Sequence, residues 1–282
     1  MKRVLFGRRR GATLVDLLVV AGLIPLFSVA FLACAQQRGE GSNRVRCASN
    51  LRQIGQAILL YANENRGVYP RTTFVGGEVV RPVWGTGAPA TQPFDENGPH
   101  PNDVTAALFL LLRTQEITPE VFTCPAANQD RWDFGGGSNT ALKWSNWEGA
   151  DGIKRHLSYS YQNPYPDKAA EKSGFKLNTS LTAEFAVASD MNPGVVNGCN
   201  VLTVTTTAST SVMKTANSRN HDGDGQNVLY GDGHVEFQQN PFCGVNRDNI
   251  FARRAAASGF TSSEIINSSF DADDSVLLPC DQ

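Results

Sequence analysis

Hydrophobic positions divide the chain into contrasting stretches. From Leu17 to Ala35 runs LLVVAGLIPLFSVAFLACA, 19 residues without a charge. A bilayer is crossed by about 20 apolar residues, and with 12–16 the stretch reaches 24 residues, broken only by Asp16. From Arg44 to Asn63 the pattern is periodic instead. Leu51, Ile54, Ile58 and Tyr61 recur at helical spacing, while Arg44, Arg46, Arg52 and Gln56 fall largely elsewhere. That spacing predicts an amphipathic helix ending near Asn65-Arg66-Gly67, with Pro70 beyond it. Gly39-Glu40-Gly41-Ser42 predicts a polar break between the two stretches. Pro25 predicts a kink or local melting of the first. A continuous helix over 12–65 would be ~80 Å long at 1.5 Å per residue.

The remaining residues alternate short apolar segments with loops. Residues 85–102 are rich in Pro and Gly. Asp103 is placed to cap a helix from Val104 to about Arg113, and Thr118-Pro119-Glu120 to open a shorter one. Strands are predicted over 158–163, 183–190 and 201–205. The clearest hairpin joins 227–230 to 234–237 across Gly231-Asp232-Gly233.

Charge changes the picture at one end. The net charge is −2, which argues against a general nucleic-acid binder. Lys2, Arg3, Arg8, Arg9 and Arg10 nevertheless precede the apolar run with no acid among them. The positive-inside rule puts that end in the cytoplasm and the residues beyond the run on the other side of the membrane. A cleaved secretory signal normally has an apolar region of only roughly 7–15 residues. A lipoprotein signal ending at Phe31-Leu32-Ala33-Cys34 and a plain membrane anchor are the other readings. An Asp within a span costs ~2.5–3.5 kcal/mol at mid-helix, so Asp16 points to use rather than accident.

The segment Arg10-Gly11-Ala12-Thr13-Leu14-Val15-Asp16-Leu17-Leu18-Val19-Val20 resembles the class III signal of type IV pilins and type II secretion pseudopilins. The resemblance implies cleavage by prepilin peptidase between Gly11 and Ala12, and N-methylation of Ala12. The family's fifth mature residue is normally Glu and its first Phe or Met; here they are Asp16 and Ala12. In that family the acid neutralises a neighbouring subunit's amine inside an apolar filament core, since a buried charge is tolerable only when paired. The segments 47–55 and 61–63 resemble the helix of large prepilin-type proteins that also carry a C-terminal His-X9-Asp-Gly motif. His221, Asp232 and Gly233 resemble that motif with ten intervening residues rather than nine, and Cys124-Pro125 is a further point of similarity.

The fold class expected is α+β: a long N-terminal transmembrane, pilin-like helix packed on a large head with antiparallel sheet and long loops. Residues 1–11 would be a cytoplasmic leader, 12–66 the helix with its span at about 12–35, and 67–282 an extracytoplasmic head containing the 221–237 hairpin. The implied function is a structural subunit of a pseudopilus or pilus rather than an enzyme. It would be single-pass in the inner membrane, with the head in the periplasm or on the cell surface. Its partners would be prepilin peptidase, other pilin-like subunits and the inner-membrane assembly platform. The alternative is a membrane-anchored binding protein, glycan-binding for instance, that forms no filament; solvent-exposed Trp144 and Trp147 beside a groove would favour it, whereas Trp132, Trp144 and Trp147 near a long loop otherwise fill a core.

Several side chains carry candidate chemistry. His221 is expected to hydrogen-bond a hairpin carbonyl or Asp232, with a hydrolase base as the competing role. No Cys/His spacing suggests zinc, and no cofactor is implied. Asp222 and Asp224 are the candidate ligands for calcium, known in C-terminal loops of some secretion pseudopilins. The EF-hand pattern fails, because its sixth and twelfth positions are Asn227 and Gly233. Asp271, Asp273 and Asp274 form a second acidic group, expected as solvated surface. An oxidising compartment would permit disulfides among Cys47, Cys124, Cys199, Cys243 and Cys280. Their connectivity is not readable from sequence; Cys47 with Cys124 would tie helix to head.

Overall fold

The computed structural model describes residues 14–76, 89–127, 129–148, 155–196, 198–254 and 265–281; within 14–39 it is mainly the backbone that is described. Gly11 and Ala12 lie outside the described residues, as does the side chain of Asp16. The contacts divide into two compact units, Met1–Ser42 and Asn43–Gln282.

Helix α1 spans Leu14–Glu64. The break expected at 39–42 and the melting expected at Pro25 do not occur, since the helix runs through both. Glycine and proline cost about 1 and 3 kcal/mol in a helix interior, penalties that lower stability locally without ending a helix this long. Most side chains of the apolar run 17–35 lie outside the described residues. Among the described residues, no helix is long and apolar enough to cross a membrane.

In the second unit, α1 buries Cys47, Leu51, Ile54, Ala57, Ile58 and Ala62, one stripe at steps of three and four residues. Burial of each large aliphatic member contributes roughly 1.5–3 kcal/mol. The helix ends where expected: Arg66 and Gly67 turn left-handed, and the Gly67 N–H donates to the Ala62 carbonyl at 2.8 Å. Helix α2, Val104–Thr114, is buried from Val104 to Leu112. Its Asp103 cap accepts from the N–H groups of Thr105 and Ala106 at 3.0 and 3.2 Å, satisfying two of the orphan donors of the first turn.

Five strands form one antiparallel sheet: β1 Tyr159–Gln162, β2 Ala186–Asp190, β3 Gln226–Tyr230, β4 Val235–Gln238 and β5 Leu277–Leu278, in the order β4-β3-β2-β1-β5. Both faces are covered. Tyr159, Tyr161, Val187, Leu229 and Leu278 join the α1 and α2 stripes in one core. Ala186, Val228, Tyr230 and Leu277 join Val201, Leu202, Val204, Ile250 and Phe251 in the other. The alternation of side chains along a strand thus serves two cores. A register shift between Ala186 and Ala188 in the β2–β3 pair sends Ala188 to the α1 side.

Residues 201–205, expected as a strand, are an irregular segment that buries Val201, Leu202 and Val204 and exposes Thr203 and Thr205. The Asn200 side chain accepts from the N–H groups of Leu202 and Thr203 at 3.0 and 3.1 Å. This local bonding replaces a ladder while Val201, Leu202 and Val204 still reach the second core. Close packing of α1 on the sheet is permitted by Gly55, where a Cβ would lie 2.8 Å from Leu229 Cδ1.

Candidate functional site

A buried polar cluster forms where α1 meets the sheet. α1 presents Cys47. The 3-10 turn Pro119–Phe122 leads into Cys124, whose N–H donates to Ser158 Oγ at 2.7 Å, while Ser158 N–H donates to the Phe122 carbonyl at 2.9 Å. β2 ends at Asp190, and the 3-10 turn Arg219–His221 delivers His221. Cys47 and Cys124 are joined in a disulfide, Cα–Cα 5.3 Å, across a sequence separation of 77. Asp190 and His221 are completely buried beside it.

The loop after His221 makes this placement possible. Asp222 and Gly223 take left-handed backbone conformations, and the Asp224 N–H donates to the His221 carbonyl at 3.0 Å. Gly225 then passes so close to Phe237 that a Cβ would meet the ring at 2.8 Å. The Asn217 amide bridges the Gly223 and Gln239 carbonyls at 2.9 Å each.

His221 Nε2 lies 3.3 Å from Asp190 Oδ2, 3.3 Å from Asn227 Nδ2 and 4.0 Å from Cys124 Sγ. Protonated, Nε2 donates to Asp190; bare, it accepts from the Asn227 amide. The ring stands edge-on to Phe237, over which the Arg44 guanidinium lies at 4.5 Å. Asp190 Oδ2 accepts from Asn227 N at 2.6 Å and Nδ2 at 3.0 Å, and Oδ1 from Asn220 Nδ2 at 3.3 Å. Tyr159, in the register position opposite Asp190, has its phenol pushed well above its usual range by burial and then by the Asp190 charge. Asn50 of α1 donates to that phenol at 3.2 Å and to the Thr123 carbonyl at 2.9 Å.

The expected partner of His221 is therefore corrected. Asp232 is exposed in the hairpin turn and pairs with His234 Nδ1 at 2.5 Å; bonds from the His234 backbone and then its ring hold its carboxyl below the usual range. Gly233 supplies the left-handed residue of that turn. The Asp belonging to His221 is Asp190, 31 residues earlier, brought alongside by β2–β3 pairing. No local signal in the sequence marked it.

Among the described residues, Asp222 and Asp224 do not converge with a third ligand. Asp224 is engaged by Lys214 Nζ at 2.5 Å and Arg44 at 2.8 Å, beside a polar cleft of about 430 Å³. The Lys214 bond is the main cause of its lowered pKa. Asp222 is exposed. Trp132 and Trp147 are buried against Phe109, and half-buried Trp144 packs on Trp132, so they fill the core and form no exposed platform. Asp274 is buried rather than surface, bonded to the Arg254 N–H at 2.9 Å.

Among the described residues, one group of three or more His, Cys, Asp or Glu ligand atoms converges: Cys47, Cys124, Asp190 and His221, all within 4.8 Å of one another. His221 and Asp190 have the hydrogen-bond relation of a base and its orienting acid, but complete burial denies a substrate access to either. Compared with family models, curated proteins and solved structures, the chain finds no match.

Proposed function

We propose that this chain is a pilin-like structural subunit, cleaved by prepilin peptidase after Gly11, N-methylated on Ala12 and held in the inner membrane by residues 12–35. Its work is assembly into a pseudopilus or pilus of the type II secretion or type IV pilus class, with no catalytic step of its own. The observation that carries the reading is α1. The helix that begins at Leu14, within the 10–20 segment, extends to Glu64, and its C-terminal part is the spine of an α+β head. Such a subunit needs one element with two jobs, packing among neighbours at one end and organising a head at the other. The buried stripe from Cys47 to Ala62 and its disulfide to Cys124 perform the second job. At the other end, Asp16 would neutralise the amine of Ala12 on an adjacent subunit, a pairing that sets axial register.

Mass spectrometry of protein from its native membrane tests this directly. The mature chain should begin at N-methylated Ala12. An intact leader, or a chain beginning at lipid-modified Cys34, refutes the proposal. Asp16→Ala should reduce incorporation into filaments at least tenfold while the far-ultraviolet circular dichroism of the chain is unchanged; normal incorporation refutes the pairing role.

A further inference from the structure

We propose that, when its disulfide is reduced, the cluster between α1 and the sheet is a zinc site with four ligands: Cys47 Sγ, Cys124 Sγ, His221 Nε2 and one carboxylate oxygen of Asp190. The donor set is two sulfurs, one imidazole and one carboxylate, all groups that Zn²⁺ accepts in tetrahedral sites. With metal–ligand bonds of about 2.0–2.3 Å, tetrahedral ligands sit about 3.3–3.8 Å apart. Nε2 and Asp190 Oδ2 are already 3.3 Å apart, Nε2 and Cys124 Sγ 4.0 Å, and every ligand pair is within 4.8 Å. The freed sulfurs need only part to about 3.8 Å, a change that side-chain rotation supplies.

The surroundings suit a metal as well as the ligands do. Asn227 and Asn220 hold the Asp190 carboxylate by three hydrogen bonds, the kind of support that orients a ligating group. A zinc ion would take the place of the Nε2 proton that Asp190, 3.3 Å away, otherwise accepts. Zinc would also replace the mechanical effect of the disulfide, because its two thiolates close the same loop between α1 and Cys124. The two states exclude each other, since the same sulfurs serve both. Burial of all four ligands means that the ion enters as the reduced chain folds, and its binding then contributes to folding.

The chemistry balances with a phosphine as reductant. Phosphine and one water convert the Cys47–Cys124 bond to two thiols and a phosphine oxide. Zn²⁺ then displaces one proton from each thiol to the buffer. The test uses the full chain in detergent micelles, refolded with a water-soluble phosphine and ZnSO₄, then freed of loose metal by gel filtration. Reduced protein should retain one zinc per chain and oxidised protein less than a tenth. Zinc X-ray absorption of the reduced wild type should give two sulfur and two nitrogen or oxygen ligands. Co²⁺ in its place should show thiolate charge transfer and tetrahedral visible bands. His221→Ala should weaken zinc retention at least tenfold, and Cys47→Ser/Cys124→Ser should abolish it. Folded, reduced wild type holding less than a tenth of an equivalent overturns the proposal. So does a three- or four-sulfur shell, or zinc retained undiminished in either variant; such results would assign the metal to other cysteines. The X-ray absorption result needs no variant and decides the question even if both variants fail to fold.

Discussion

Replacing Cys47 and Cys124 together by Ala opens the cross-link between α1 and the head without leaving an unpaired thiol. The bridge spans a sequence separation of 77. For a loop of that length, the chain-entropy relation assigns about 15 cal/mol/K to the unfolded state, or about 4.5 kcal/mol at 25 °C. With an unfolding entropy of about 2.1 cal/mol/K per residue, the unit Asn43–Gln282 should melt about 9 °C lower. The two buried sulfurs also fill space in the first core, with Cys124 Sγ 4.0 Å from His221 Nε2, so packing loss acts in the same direction as entropy. The assay is urea unfolding of the full chain in micelles with a zinc chelator, followed by fluorescence of the buried Trp132 and Trp147. The expected result is a shifted midpoint with native circular dichroism retained. A stability loss below about 1 kcal/mol would refute the reasoning: it would mean that the unfolded chain already keeps residues 47 and 124 near each other, or that the bridge strains the native head by as much as it restricts the unfolded one.

Gly55→Val places a branched side chain against Leu229, where even a Cβ lies 2.8 Å from a methyl. The expected cost is about 1–3 kcal/mol of overpacking, read by the same unfolding assay; unchanged stability would mean α1 lifts from β3 without penalty. Asp248 and Asp274 give a pH dependence. Burial raises both carboxyls above the usual range, and the Asp274 charge raises Asp248 further, against the opposing pull of Arg254. The folded state therefore holds protons more tightly than the unfolded one. That contribution is complete below the unfolded carboxylate range and is lost as pH rises through the raised folded values. Melting temperature should fall as pH is raised from about 4 toward neutrality, and Asp274→Asn should flatten the slope. An undiminished slope in that variant would reassign it to other groups.

Elements defined by local rules were legible in the sequence. The α1 stripe, the Asp103 cap and the 227–237 hairpin depend on periodicity, a carboxylate two residues from the N–H that donates to it, and turn chemistry, all contained within a dozen residues. The misreadings came where a local signal was ambiguous or a distant one decided. Segment 201–205 has strand composition, but Asn200 supplies its hydrogen bonds and leaves it irregular. Leu277–Leu278 is too short to carry a period, and becomes β5 only by pairing with Tyr161 and Gln162. His221 has an acid eleven residues ahead in Asp232, and the chosen partner is Asp190, because neighbouring strands bring residues together irrespective of their separation in sequence. The α+β class was therefore readable, whereas the convergence of Cys47, Cys124, Asp190 and His221 was not: each ligand lies on a different element and no two have metal-site spacing.

That convergence bears on why polar groups occupy the junction at all. Burying an ionisable pair seldom stabilises a fold relative to apolar residues of the same volume, and the disulfide alone already fastens α1 to the head. What Asp190 adds is directional. It accepts the Asn227 backbone N–H and side-chain amide together, close to the register shift at Ala186/Ala188, where β2 could slide against β3. A one-residue slip would exchange the two faces of the strand, sending Leu229 toward the second core and Val228 toward α1, and it would also withdraw Asn227 from Asp190 and leave that carboxylate buried without its strongest donors. The polar cluster thus penalises the misregistered sheet far more than an apolar one would. The same arrangement that selects the register holds an imidazole, a carboxylate and two sulfurs at ligand distance, so a site with metal-binding geometry arises from the requirements of strand alignment.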